Sequence, residues 1–362
     1  CDSRYFNMYS HYDDIGAYNS KESPYFSWYK FINWPDEYHS WWGIKLLPEV
    51  IEEDEGYRNY ICGENGILKK WLRCGIAGYR LDVADELPDI FLDDLRKSVK
   101  SENENAIIIG EVWEDATNKF AYGQRRKYLL GEELDSVMNY PFADAILNFV
   151  RYANGNAFFN AVLSIIENYP PQVLNVLMNH IGTHDTERAI TRLAGENPDG
   201  HDRAWQFEHN TLSEFDYLKG ISMMKIASLI QFTLPGVPSI YYGDEIGMQG
   251  MKDPFNRGCM PWNKPNEELL KWYKRLGQIR HSSKAFIDGD FEKLYCDGGV
   301  IAYSRSSEGD NILVAINNSN EQKRIFVGTQ WDNSYSLFDE KSVDGFVNLP
   351  PYRYTLLSKK EY

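Results

Sequence analysis

The sequence predicts an α/β chain, a (β/α)8 barrel of which five strands are legible, followed by a small antiparallel β domain. Three observations predict it. Short apolar strands alternate with helical stretches. Acidic and other polar residues collect where one strand after another meets its following loop. From about residue 286 onward the texture changes to short β segments separated by turn residues.

Residues 1–56 are rich in Tyr, Trp, Asp, Asn and Pro without a sustained period of 3.6 or 2, so they read as a long structured excursion with short helical pieces. The barrel part runs over 57–285. Ile61, Ile67, Leu68, Trp71 and Leu72 predict a helix over 57–73 that stops near Gly75, and Ala77 to Val83 reads as a strand. Pro88 opens a helix to about Lys100, and Ala106 to Trp113 is an apolar strand ending in a carboxylate. Helices are expected near 117–131 and 142–168 around a short strand at 136–140. Another strand, 173–180, leads into Ile181-Gly182-Thr183-His184-Asp185. A helix near 217–231 precedes a strand at Pro238 and Tyr242-Gly243-Asp244-Glu245, and a helix at 267–282 closes the barrel part. Segments 300–304, 312–317, 323–327, 335–338 and 353–357 then make the β domain, 286–362.

Composition removes several function classes. The 362 residues carry 38 Lys plus Arg against 53 Asp plus Glu, a net charge of −15, and no basic run tracks a phosphate backbone, so no nucleic-acid partner is expected. No apolar run reaches the ~18 residues a membrane helix needs, so no membrane partner is expected either. Aromatics make up 15%, with 10 Trp and 25 Tyr, enough to suggest sugar-stacking platforms, although packing accounts for most such rings. The five cysteines at 1, 62, 74, 259 and 296 form no C-x-x-C pair and read as free thiols of a reducing compartment. A cytoplasmic location is therefore expected. The start, Cys1-Asp2-Ser3-Arg4, has no initiator Met and reads like a mid-domain loop.

The chemistry lies in the strand ends. Arg80 and Asp82 are two apart on one strand, so both side chains point to one face, and the guanidinium favours the ionised carboxylate a nucleophile must be. An internal ion pair is the competing reading. Glu111 follows four apolar residues and a glycine, a setting that suits a proton donor. Neighbouring strands lie ~4.8 Å apart, so carboxylates at adjacent strand ends meet the ~5–5.5 Å separation of retaining glycosidases. His184-Asp185 ends a further strand. Only 7 His are present and no acidic strand end carries a second one at ligand spacing, which argues against a catalytic metal.

Gly78-Tyr79-Arg80-Leu81-Asp82-Val83-Ala84, Ile109-Gly110-Glu111-Val112-Trp113 and Gly182-Thr183-His184-Asp185-Thr186-Glu187-Arg188 resemble, in order, three sequence blocks of the α-amylase family of glycoside hydrolases. Tyr242-Gly243-Asp244-Glu245-Ile246-Gly247 and Asp253-Pro254-Phe255-Asn256-Arg257 resemble the end of that barrel in neopullulanases and cyclomaltodextrinases. The resemblance implies Asp82 as nucleophile, Glu111 as general acid/base and Asp185 as a third, transition-state-stabilising carboxylate. Arg80 and His184 would hold the sugar in the cleaving subsite, Asp253 and Arg257 would bind glucose units on the non-reducing side, and Glu86 and Trp113 would border the leaving-group side. Leu46-Leu47-Pro48-Glu49-Val50, after Trp41-Trp42-Gly43, falls where the family carries a specificity-linked segment and matches the neopullulanase form only in part.

The family's Asp-x-x-x-Asn-His block is not found ahead of Asp2-Ser3-Arg4, so the five strands are expected to be the fourth to eighth of a barrel truncated at its N-terminus. Such a chain in isolation is expected to be weakly active or inactive. The function implied is a retaining α-glucan hydrolase, with transglycosylation open to it, acting on maltodextrins, cyclodextrins or pullulan. A non-catalytic glucan-binding or scaffold relative is the alternative, and its mark would be a lost carboxylate. No cofactor is required, a structural calcium is compatible with the family, and a homo-oligomer is compatible with the sequence.

Overall fold

The computed structural model describes residues 2–121, 123–338 and 342–360, and the chain divides into two compact units. The first holds 1–111 with 117–135, the second 112–116 with 136–362.

In the first unit the opening excursion is a core of its own. Phe6, Trp28, Tyr29 and Tyr38 are buried together, with Tyr5, Tyr18, Tyr25, Phe31, Tyr57 and Tyr60 packed around them. The aromatic wealth of 1–60 is therefore mostly packing. The excursion contributes only the hairpin β1 (Phe31–Asn33) and β2 (Glu37–Tyr38) as regular strands. The single helix expected over 57–73 is two, α1 (Glu55–Cys62) and α2 (Ile67–Arg73), because Gly63 and Gly66 interrupt it. Next come β3 (Gly78–Leu81), α3 (Asp89–Glu102), with Pro88 at its N-cap, and β4 (Ile107–Gly110). β3 and β4 pair in parallel, Arg80 beside Ile109 and Leu81 beside Gly110, so one further step of register sets Asp82 level with Glu111. Among the described residues, the expected helix near 117–131 does not form. Its place is taken by a two-residue hairpin, β5 (Phe120–Ala121) and β6 (Gln124–Arg125), turned at Gly123 with φ +77°. Here tertiary contacts override propensity: Lys119 pairs with Asp85 at 2.8 Å, while Arg126 is buried against the carbonyls of Asp85 and Leu87.

The second unit carries three short parallel strands, β7 (Ser136–Val137), β8 (Met178–Asn179) and β9 (Val237–Pro238). β8 pairs with β9, and a parallel bridge joins Met138 to Met178. Side-chain amides extend these ladders: Asn139 donates to Asn179 at 2.9 Å, Asn179 to the Pro235 carbonyl, and Gln231 to the carbonyls of Asn179 and Ser239. The helix expected over 142–168 breaks at Ala153, which is left-handed at φ 56°, into α4 (Tyr140–Tyr152) and α5 (Gly155–Asn168), the latter capped by Asn154. Most of the strand expected over 173–180 is α6 (Pro171–Leu174) and a turn. α7 (Ala189–Ala194), α8 (Arg203–Glu208), α9 (Glu214–Thr233), α10 (Glu267–Ser282) and α11 (Ala285–Asp288) follow. From Ile226 to Thr233, α9 is buried on every side, the state of a central helix.

The C-terminal part is a two-layer sandwich. Six strands, β10 (Asp290–Asp297), β11 (Val300–Ser307), β12 (Asp310–Asn317), β17 (Arg353–Ser358), β14 (Ser334–Ser336) and β15 (Ser342–Val343), lie side by side in that order. The pair β13 (Lys323–Phe326) and β16 (Phe346–Leu349) faces them across Leu313, Ala315, Ile325, Val347 and Leu357. Arg280 of α10 and Arg305 of β11 converge on the C-terminus of α9. Arg280 donates to the Phe232 and Gly236 carbonyls and Arg305 to those of Thr233 and Gly289, so orphan helix carbonyls meet positive charge. Cys62, Cys74, Cys259 and Cys296 are free, and Cys1 lies outside the described residues.

Candidate active site

In the first unit, β3 and β4 deliver Arg80, Asp82 and Glu111 to one place. The Arg80 guanidinium lies between the two acids, with one nitrogen on Asp82 and the other 3.2 Å from Glu111. The acids are in unlike surroundings. The Asp82 side chain is 71% exposed and that of Glu111 only 5%. The other oxygen of Glu111 accepts the Val83 backbone N–H at 2.9 Å. Val83 donates because it turns into the left-handed region at φ 40°, ψ 48°, a costly conformation for a β-branched residue and one typical of functional sites. Gly110 is needed just before Glu111, because a Cβ there would meet Leu134 and Ala84.

A cavity of about 420 Å³ opens beside Asp82, lined by Ser3, Phe6, Tyr29, Trp41, Leu47 and Val83 among others. Glu86 stands four residues after Asp82, and its two oxygens accept the indole N–H groups of Trp41 at 2.8 Å and Trp42 at 2.9 Å. The stretch 117–135 holds this loop from outside through Lys119, Arg126 and Tyr128, whose hydroxyl donates to Asp85 at 2.7 Å. In the same stretch Glu133 is 1% exposed, and neither carboxylate oxygen accepts a hydrogen bond among the described residues. Burial, reinforced by the charge of Asp89, pushes its carboxyl up to about 7. Below about pH 4.5 the folded and unfolded states are both protonated. Between there and about 7 only the unfolded chain releases the proton, so stability falls as pH rises. The urea midpoint is expected to decline from pH 5 to 7.5, and by less in Glu133→Gln. An equal decline in both proteins would acquit Glu133.

In the second unit, the loop after β8 carries His184 and Asp185. His184 Nε2 lies 3.1 Å from one Asp185 oxygen and Arg257 3.3 Å from the other. Arg257 also contacts Asp253 at 3.1 Å and donates to the His184 carbonyl at 2.9 Å, so these four predicted residues form one cluster. The fastening was not legible in the sequence. Asn256 is fully buried, and its amide donates to the carbonyls of His184 and Thr186, both at 2.7 Å, gripping the loop on either side of Asp185. Arg188, at the head of α7, is buried as well. It donates to the Asn256 and Tyr242 carbonyls and faces Asp244 at 3.6 Å and the rings of Tyr241 and Tyr242. Gly182 is required there, since a Cβ would run into the Asp244 carboxylate. Trp113 stacks on Tyr140 with ring centres 4.0 Å apart and shares a cavity of about 460 Å³ with Asp185, Asp144 and Tyr152. Among the described residues, no group of three or more His, Cys, Asp or Glu side chains is placed to hold a metal ion, and no helix is long and apolar enough to cross a membrane.

The model of the alpha amylase catalytic domain matches residues 7–334. A cyclomaltodextrinase of Thermoanaerobacter pseudethanolicus is 33% identical over 321 residues, covering 85% of this chain and 50% of that protein. An amylopullulanase of Thermoanaerobacter thermohydrosulfuricus is 32% identical over 374 residues, covering 91% and 24%. The acarbose-soaked crystal structure of a Nostoc punctiforme debranching enzyme superposes with a TM-score of 0.77 at 25% identity, covering 97% of this chain and 72% of that one. The chain thus spans half the length of the first relative and about a quarter of the second. The fold is the (β/α)8 barrel fold of these proteins with a C-terminal antiparallel sheet domain, and the chain belongs to the α-amylase family of glycoside hydrolases.

Proposed function

We propose that this protein is a retaining α-glucan hydrolase that cleaves α-glucosidic bonds of maltodextrins, cyclodextrins or pullulan through a covalent glycosyl-enzyme. The observation that carries the reading is the Arg80 bridge: one exposed and one buried carboxylate at the ends of paired strands, on a single guanidinium. In the first step Asp82 attacks the anomeric carbon as Glu111 gives its proton to the departing glycosidic oxygen. In the second, Glu111 takes a proton from water, which attacks the same carbon and returns Asp82 as the leaving carboxylate. Two inversions leave the α configuration. A sugar hydroxyl in place of water gives transglycosylation by the same route.

Asp185, held by His184 and Arg257, is the third carboxylate that meets the oxocarbenium-like sugar. Arg80 and His184 hold that sugar, Asp253 and Arg257 the units on its non-reducing side, and Glu86 and Trp113 border the leaving group. The five parallel strands β3, β4, β7, β8 and β9 are the fourth to eighth of the barrel in this reading, residues 1–56 its excursion, 57–285 its barrel part and 286–362 the sandwich. Incubating full-length protein with maltoheptaose or β-cyclodextrin, followed by thin-layer chromatography, tests the reading. Maltose and glucose are expected from the wild type and not from Asp82→Asn; no product from either substrate would favour a glucan-binding protein without catalysis.

A further inference from the structure

The turn Trp41–Gly43 carries one of the most exposed large rings among the described residues. Trp42 is 80% exposed, a large apolar ring set in water. It is also left-handed, at φ 52°, ψ 28°, a conformation a bulky residue keeps only where its surroundings impose it. The imposing group is Glu86. Its carboxylate accepts both indole N–H groups, one on each oxygen, and so fixes two adjacent tryptophans with ring centres 5.6 Å apart and planes tilted by 34°. The backbone is closed beneath them by Trp41 N–H to the Leu47 carbonyl and Gly43 N–H to the Ser40 carbonyl. Trp41 lines the cavity beside Asp82.

A polar tip tied down and an apolar face left bare is the build of a stacking platform, since an indole offers a rigid, weakly hydrated surface at small entropic cost. The apolar face of a pyranose ring is complementary to it. Each Glu86 oxygen retains a lone pair for a sugar hydroxyl. We infer that Trp41 and Trp42 form a glucose subsite on the leaving-group side of Asp82, with Glu86 as the residue that positions both rings. The inference rests on the glucan-hydrolase reading. It adds a role for the Trp-Trp pair in deciding how long a leaving chain, or an acceptor, is held.

The test compares Trp42→Ala, Trp42→Phe and Glu86→Gln with the wild-type protein on maltoheptaose and on 4-nitrophenyl α-maltoside, whose leaving group bears no sugar. Trp42→Ala should lose about tenfold more kcat/KM on maltoheptaose than on the aryl substrate, mostly in KM, and Trp42→Phe should recover most of it. Glu86→Gln should fall between, because its one amide oxygen can still hold an indole. Equal losses on both substrates would make the pair a structural element and overturn the inference, as would no loss on either. Quenching of tryptophan fluorescence by maltoheptaose reads the platform without catalysis. Quenching lost in Trp42→Ala, in a protein that turns over neither substrate, upholds the subsite and removes the hydrolase reading. Turnover and quenching both unchanged in Trp42→Ala remove the subsite and leave the hydrolase.

Discussion

Asp82→Asn and Glu111→Gln should each lower kcat/KM on maltoheptaose by several orders of magnitude, and they should part company on a substrate with an activated leaving group. The reason lies in their surroundings. Asp82 is exposed and forms the bond to the sugar, so its loss blocks both half-reactions whatever the leaving group. Glu111 supplies a proton that a departing fluoride does not need. Glu111→Gln should therefore still form the glycosyl-enzyme from α-maltosyl fluoride, then stall for want of a base, giving a burst of fluoride without sustained turnover. Stability should separate them too. Asp82→Asn removes the charge of the exposed member of the Arg80 pair, with little effect on the melting temperature. Glu111→Gln keeps an oxygen for the Val83 N–H and alters only the contact with Arg80, at about 1 kcal/mol. Full turnover of maltoheptaose by either variant would remove that residue from the chemistry.

A comparably large effect is expected from a residue that touches no sugar in this account. Asn256→Asp is nearly isosteric, yet it replaces the amide that grips the His184 and Thr186 carbonyls with an acceptor aimed at acceptors. The site is fully buried, so the new carboxylate is taken out of water and set against the carbonyl oxygens of His184 and Thr186, and a cost of about 3 kcal/mol or more follows. The loop carrying Asp185 would shift, and a displacement near 1 Å at a reacting group costs about 100-fold in rate. kcat should fall at least that far while β3, β4 and the Asp82 pair are undisturbed. Azide, a small nucleophile that rescues a missing carboxylate only where a cavity is left, should restore turnover in Asp82→Ala and not in Asn256→Asp. Wild-type kcat in Asn256→Asp would show that the loop holds its shape without the clamp.

What could be read from the chain in advance divides along a physical line. Period-2 geometry was enough to place Arg80 and Asp82 on one face, and the run Ile107 to Gly110 enough to end a strand at Glu111, because both are local rules of a single strand. Five of the C-terminal strands were legible for the same reason, though β10, half exposed and charged, and the short β15 and β16 were not. The misses are tertiary. The stretch 117–131 has the composition of a helix, but Lys119 and Arg126 bond to the loop after β3 instead. The break at Ala153 carries no glycine or proline at the break itself, only Asn154-Gly155 just beyond. Val83 and Asn256 gave no signal because their roles depend on partners 28 and about 70 residues away. The grouping of His184, Asp185, Asp253 and Arg257 came from the family resemblance, and spacing alone would not have joined them.

The stereochemistry of the first product tests the central claim most directly. Hydrolysis of maltoheptaose or β-cyclodextrin followed by proton NMR within minutes, before mutarotation blurs the record, reports the anomer released at the new reducing end. If Asp82 forms a covalent bond to the sugar and Glu111 serves in turn as acid and base, the α anomer accumulates first and the β anomer grows only as mutarotation proceeds. A β anomer appearing first would mean a single displacement by water, and the assignment of Asp82 as nucleophile would be wrong.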